Sequence, residues 1–171
     1  MGLGLLNFYK LDENASIPQF ATQDSACFDF HACLTPGNKI SYRDEFNNVL
    51  QNNEVKDDSS FTINPHHRAL IPTGLIADIQ SGYSVRVHPR SGLSFKSGVA
   101  LCNQEGVIDA DYKEEIFISV YNFSGMPKTI IHNERIAQGE LVAVGTYLIR
   151  EINVRPEKTT ERSSGFGSTG S

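Results

Sequence analysis

The chain has 171 residues, 39% hydrophobic and 20% charged, with a formal net charge of −5 at pH 7. That length suits one domain able to bury about 70% of its unfolded surface. The acidic balance, with no Lys/Arg cluster, argues against a nucleic-acid duplex gripped through its phosphates, and no apolar run approaches the roughly 20 residues a membrane helix requires.

The start, Met1-Gly-Leu-Gly-Leu-Leu-Asn-Phe-Tyr-Lys10, has neither a basic leader nor a small-residue cleavage site, and Leu6 breaks the myristoylation pattern. A cytoplasmic location is therefore expected. Cys27, Cys33 and Cys102 are odd in number and lack metal or redox spacing. They read as reduced, buried small hydrophobes.

Short apolar runs then follow at 5–11, 26–33, 69–79, 83–87, 98–102, 106–108, 116–123, 128–131 and 141–149. Many are rich in Val, Ile, Phe and Tyr, and Gly, Pro or Asn punctuates them, which is the pattern of an all-β sandwich or barrel. The best helical candidate is 42–49, inside a polar stretch at 35–64 that reads as a surface insertion. No internal repeat is visible. One domain over 1–152 and a polar C-terminal arm over 153–171 are expected.

Five clusters carry chemistry. Ser25-Ala-Cys-Phe-Asp-Phe-His31 sets Asp29 among apolar neighbours in a strand, where a carboxylate needs a partner or a cation. His88-Pro-Arg-Ser-Gly-Leu-Ser94 closes a strand at Pro89 and offers Arg90, Ser91 and Gly92 to an anion. Asn103-Gln-Glu-Gly-Val-Ile-Asp-Ala-Asp-Tyr112 reads as a hairpin whose Asp109 and Asp111, two apart, would share a face. Such a carboxylate can take a proton from an attacking water. Glu134-Arg-Ile-Ala-Gln138 reads as a polar turn before the last long strand. Finally, Arg162-Ser-Ser-Gly-Phe-Gly-Ser-Thr-Gly-Ser171 combines glycines, hydroxyls, an arginine and an isolated ring, Phe166. Phosphate donors beside a flat ring suit a nucleotide.

In this order and spacing the five clusters resemble the motifs of the trimeric dUTP pyrophosphatase (dUTPase) family along almost the whole chain. Residues 26–30 are similar to its first motif, 89–94 to the second, 106–112 to the third, 134–138 to the fourth and 162–170 to the fifth. The resemblance implies a distorted jelly-roll β-sandwich, a homotrimer with shared sites, and hydrolysis of dUTP to dUMP and pyrophosphate. That reaction limits uracil incorporation into DNA and supplies dUMP for dTMP synthesis. It implies Asp109 as general base toward the α-phosphorus and Tyr112 against the deoxyribose. Asn103, Gly106, Val107, Ile108 and the strand near Phe117 would bind the uracil. Arg90, Ser91, Gly92 and Gln138 would hold phosphates, with Asp29 acting indirectly, through water, near a Mg²⁺ carried mainly by the triphosphate. Phe166 would stack on the base while Arg162, Gly167, Ser168 and Thr169 close over the outer phosphates.

Departures from the family pattern are Cys27 for a usual Gly, Lys113-Glu114 for Arg-Gly, one residue fewer between Arg162 and Phe166, and the long 35–64 stretch. The rival within the fold is a dCTP deaminase, whose catalytic Glu falls where this chain has Ser119. A trimeric interaction or signalling protein using the 35–64 stretch is the rival from another class; that stretch's polarity argues against a tight interface.

Overall fold

A computed structural model describes residues 4–160. Twelve strands and one short helix occur among them, in the order β1 (Leu6–Lys10), β2 (Phe28–His31), β3 (Ser41–Arg43), β4 (Ser60–Ile63), β5 (Arg68–Pro72), β6 (Leu75–Ile79), β7 (Tyr83–His88), α1 (Ser91–Ser97), β8 (Val99–Leu101), β9 (Gly106–Ile108), β10 (Phe117–Asn122), β11 (Lys128–Ile131) and β12 (Arg135–Ala143). Every pairing between them is antiparallel. One four-stranded sheet runs β3-β5-β10-β8 and another β2-β12-β7-β9, while β1-β6 and β4-β11 form two-stranded ribbons. The all-β class and the sandwich layering are as the sequence predicts.

Period-2 alternation explains which faces meet. Ala69 and Ile71 of β5 and Ile118 and Val120 of β10 point inward, and Val85 and Val87 of β7 meet them from the other sheet in one buried cluster. Phe8, Phe28 and Phe30 pack edge to face with centroids 5.4–6.1 Å apart, a geometry that adds to simple burial. The fully buried Asn122 is satisfied: its amide donates to the carbonyls of Ile63 and Met126, and its oxygen accepts from the Ser124 amide and hydroxyl.

Five sequence expectations need correction. Residues 35–64 are not simply a surface insertion, because Ile40, Tyr42, Val55, Phe61 and Ile63 from this stretch are buried in the core. Residues 42–49 form no helix: strand β3 leads into a turn in which Asp44 accepts the amides of Phe46 and Asn48. The apparent hairpin around Asn103 and Gly106 is an arch between sheets, since β8 pairs β10 while β9 pairs β7. Leu101 and Ile108 enter the same core from opposite sides. The last long strand begins at Arg135 rather than 141, and a bulge that buries both Ile136 and Ala137 breaks the alternation there. Of the cysteines, only Cys33 is buried; Cys102 is exposed and Cys27 is partly so.

Helix α1 is the element the periodicity did not show. Seven residues with one buried side chain, Leu93, carry too little amphipathic signal. Pro89 ends the preceding strand and Gly98 ends the helix, its left-handed backbone (φ 65°) letting its N–H reach the Ser94 carbonyl.

Gly74 stands at the corner between β5 and β6 with φ +66°, and a Cβ there would lie 2.9 Å from Ala15 Cβ and 3.0 Å from Cys33 Sγ. Gly74→Ala should therefore destabilise the domain by about 1–3 kcal/mol, through left-handed strain plus overpacking. A drop in the urea midpoint at unchanged slope is the expected observation.

Candidate active site

Two clefts collect most of the described residues singled out in the sequence, although Asp109 and Asp111 line neither. The first, of about 300 Å³, opens where the two sheets part at the 102–105 arch, and its walls include Asn103, Gly106, Val107, Ile108, Tyr112 and Phe117. Leu70 and Ser119, neither of which the motif pattern assigns to a substrate, complete the wall from β5 and β10. Gly106 belongs here for a steric reason: a Cβ would lie 3.2 Å from Val87 Cβ and 3.5 Å from Asn103 Nδ2, closing the approach of β9 to β7.

Tyr112 sits beyond a turn in which its amide donates to the Asp109 carbonyl at 3.1 Å. Its hydroxyl donates to the Glu115 carbonyl at 2.8 Å, which turns the ring into a fixed wall of the cleft. Asp109 follows directly on β9 and is exposed, and no side chain among the described residues hydrogen-bonds its carboxylate. Because the strand ends at Ile108, Asp109 and Asp111 do not share a strand face as the spacing suggested. The two strands that the resemblance assigns to the uracil are not partners of one another: β9 lies on β7, and within the 102–105 arch the Cys102 amide reaches β10, at the Ser119 carbonyl.

The second cleft, of about 490 Å³, is lined by Ser25, Cys27, Asp29, Arg90, Ser91, Gly92, Arg135 and Gln138, among others. Asp29 projects from β2 and is shared by two arginines: Arg90 Nε reaches one oxygen at 2.9 Å and Arg135 Nη1 the other at 3.1 Å. Arg90 also donates to the Arg135 carbonyl at 3.1 Å, and Gln138 donates to the Pro89 carbonyl at 3.0 Å. The β12 strand is thereby stitched to the β7–α1 junction. The need of Asp29 for a partner, legible in its apolar surroundings, is met by cations of the protein itself.

Two guanidinium groups against one carboxylate leave one positive charge uncompensated in this group, and Ser91 and Gly92 open α1, where N–H groups lack intrahelical acceptors. Such a set suits phosphate oxygens. Arg135 was noted in the sequence without a role; its position opposite His31 on β2, rather than in a turn, sets it beside Asp29. Glu134 faces away, accepting from Lys128 Nζ and the Ile131 amide to close the β11–β12 turn. Burial, with Glu140 and Asp29 nearby, pushes the Cys27 thiol above its ordinary range.

Among the described residues, no group of three His, Cys, Asp or Glu side chains could hold a metal ion, and both Asp29 oxygens are taken. The donors present thus do not form a cage for a resident cation. Arg162, Phe166, Gly167, Ser168 and Thr169 lie outside the described residues. No helix among the described residues is long and apolar enough to cross a membrane.

Comparison with known proteins follows the same lines. The family model described as dUTPase matches residues 54–170. A deoxyuridine 5'-triphosphate nucleotidohydrolase of Nautilia profundicola is 37% identical over 166 residues, 96% of this chain and 98% of the relative. One of Caulobacter vibrioides is 32% identical over 168 residues, 96% and 94% of the two chains. Among solved structures, the Staphylococcus bacteriophage 80alpha dUTPase with dUPNHPP matches at TM-score 0.74 and 22% identity, covering 98% of this chain and 99% of that one. A dUTPase from Streptococcus mutans matches at 0.62 and 23%, covering 85% and 98%.

Asp29→Asn should remove the charge that two guanidinium groups share, at a cost of about 1–3 kcal/mol, with the half-exposed Arg135 contributing less than Arg90. Chemical denaturation of the two proteins side by side measures it, and a change below about 0.5 kcal/mol would show that the cluster is not a brace.

Proposed function

The chain belongs to the dUTPase family, and on that premise we propose that it hydrolyses dUTP to dUMP and pyrophosphate. The observation that carries the reading is the division of labour between the clefts. One is narrow, largely apolar and walled by a tyrosine; the other is cationic and fitted to phosphate oxygens. The base and sugar enter the first, where the amides and carbonyls of Asn103, Gly106, Val107 and Ile108 meet the uracil edge and Phe117 borders it. The Tyr112 ring lies against the deoxyribose and excludes a 2′-hydroxyl. Asp109 accepts the proton of the water that attacks the α-phosphorus. Arg90, Ser91, Gly92 and Gln138 bind the phosphates. Asp29 holds Arg90 and Arg135 in place, so its part toward any hydrated ion is indirect. Mg²⁺ comes with the triphosphate as its counter-ion. Arg162, Gly167, Ser168 and Thr169 close over the outer phosphates, and Phe166 stacks on the base.

The two clefts share no lining residue. A homotrimer in which one subunit's first cleft faces another's second accounts for that separation. It also accounts for Tyr147, Leu148 and Ile149, which are 75–89% exposed on the single chain. Apolar side chains so close together are normally covered by a partner. The three free thiols suit the cytoplasm. The deaminase alternative lacks its carboxylate, since Ser119 lines the cleft where that group would be required.

Incubation with dUTP or dCTP and Mg²⁺ tests the activity: dUMP and pyrophosphate are expected, whereas ammonia from dCTP or no turnover would overturn it. Asp109→Asn should lower kcat by about 10²–10⁴ with nucleotide affinity nearly retained, because the amide keeps the shape and loses the proton acceptor. Steady-state kinetics and a binding titration separate the two quantities. Light scattering should report three chains, and a fully active monomer would refute the shared site.

A further inference from the structure

Glu115 lies three residues beyond Tyr112, outside every motif the sequence singled out, and the structure gives it an unusual set of contacts. Its carboxylate accepts the Gly74 amide at 2.9 Å, and its own carbonyl accepts the Tyr112 hydroxyl at 2.8 Å. The next residue continues the attachment. Ile116 donates its amide to the Leu75 carbonyl at 2.8 Å, and its carbonyl accepts both the amide and the hydroxyl of the buried Thr73. Gly74 in turn receives the Leu11 amide on its carbonyl at 2.8 Å. The corner Thr73-Gly74-Leu75 is therefore a rigid post, and Glu115 ties the 109–116 loop to it on one side while holding the tyrosine ring on the other.

We propose that Glu115 is the positioning residue that sets the Tyr112 ring, and with it the discrimination between deoxyribose and ribose, by bracing the 109–116 loop on the Gly74 amide. The inference rests on the reading of Tyr112 as the sugar wall. A wall excludes an added hydroxyl only if it cannot recede, and a displacement near 1 Å is enough to lose a steric check. The Tyr112 hydroxyl fixes the ring to the loop; Glu115 fixes the loop to the core. The Ile116 backbone bonds hold the end of the loop, and Lys113, paired with the exposed Asp78 at 3.0 Å, adds a solvent-screened attachment.

The chemistry of the contact distinguishes its variants. The Gly74 amide needs an acceptor, not a charge. Burial and the nearby Asp12 push the Glu115 carboxyl upward, although the Gly74 amide works in the opposite direction. A neutral acceptor of the same length therefore suits the position at least as well. Glu115→Gln should retain the brace, Glu115→Asp should withdraw the acceptor by one methylene, and Glu115→Ala should remove it.

The experiment is kcat/KM for dUTP and for UTP on the full chain and its three variants, with thermal unfolding of each. In Glu115→Ala and Glu115→Asp the dUTP/UTP preference should fall by about 10-fold or more, and in Glu115→Gln it should stay within about 3-fold. The ratio separates sugar discrimination from a general loss of folded enzyme, which lowers both numbers together. A folded Glu115→Ala or Glu115→Asp with the parent ratio overturns the brace. Should the alanine variant not fold, the aspartate variant carries the test. If the parent chain hydrolyses dUTP and UTP equally, the reading of Tyr112 fails instead, and no hydrolysis of dUTP by the parent chain would sink the proposed activity itself.

Discussion

A single largely buried carboxylate holds the cationic cleft together. Asp29 is only 14% exposed, and each of its oxygens faces a different arginine, one from the β7–α1 junction and one from β12. A lone carboxylate in that setting would be costly, and two unpaired guanidinium groups side by side would repel each other. Together they are tolerable, and the Arg90 contact with the Arg135 carbonyl locks the arrangement to the backbone. The excess positive charge left over suits the cleft to oxyanions. Fold and chemistry thus meet in one interaction: the brace that joins three chain segments is also the part that makes the site electropositive.

The opposite cleft depends on a different constraint, the parting of two sheets. Leu101 and Ile108 are buried against the same core from β8 and β9, so the residues between them must span from one sheet to the other. A hairpin would have filled that space with cross-strand side chains. The arch leaves it open, and Gly106 keeps β9 close enough to β7 to form one wall. The loop after β9 forms another, and polar contacts to the β5–β6 corner hold it together with the buried Ile116 at its end. A wall of that kind depends on geometry more than on bulk stability, which is why one acceptor on Glu115 can matter there.

Much of this was legible in the sequence, for reasons that can be named. Val85 and Val87, or Ile118 and Val120, announce strands because every second residue must face the core. The Arg90 and Tyr112 clusters stood out because glycine and charge meet at strand ends, and Asp29 because a carboxylate among apolar neighbours needs a partner. Local patterning failed where an element was too short or irregular to show its period. Helix α1 buries only Leu93; the start of β12 hides behind a bulge that puts Ile136 and Ala137 on one side; β3 offers three residues, of which Tyr42 alone reaches the core.

The sequence by itself determined the class of fold, the order of the chemical clusters and the family to which the chain belongs, since these depend on residue type and spacing along the chain. Pairing was beyond it. That β9 lies on β7 rather than β8, that Arg90 and Arg135 pair with Asp29, and that the Asn103–Tyr112 and Arg90–Gly92 clusters line separate clefts are decided by which strands become neighbours. Glu115 illustrates the difference. Nothing in Lys113-Glu114-Glu115 separates the second glutamate from the first, and only the approach of Gly74, 41 residues away, selects it. Contacts of that range are set by burying the core as a whole, so the tertiary structure alone can reveal them.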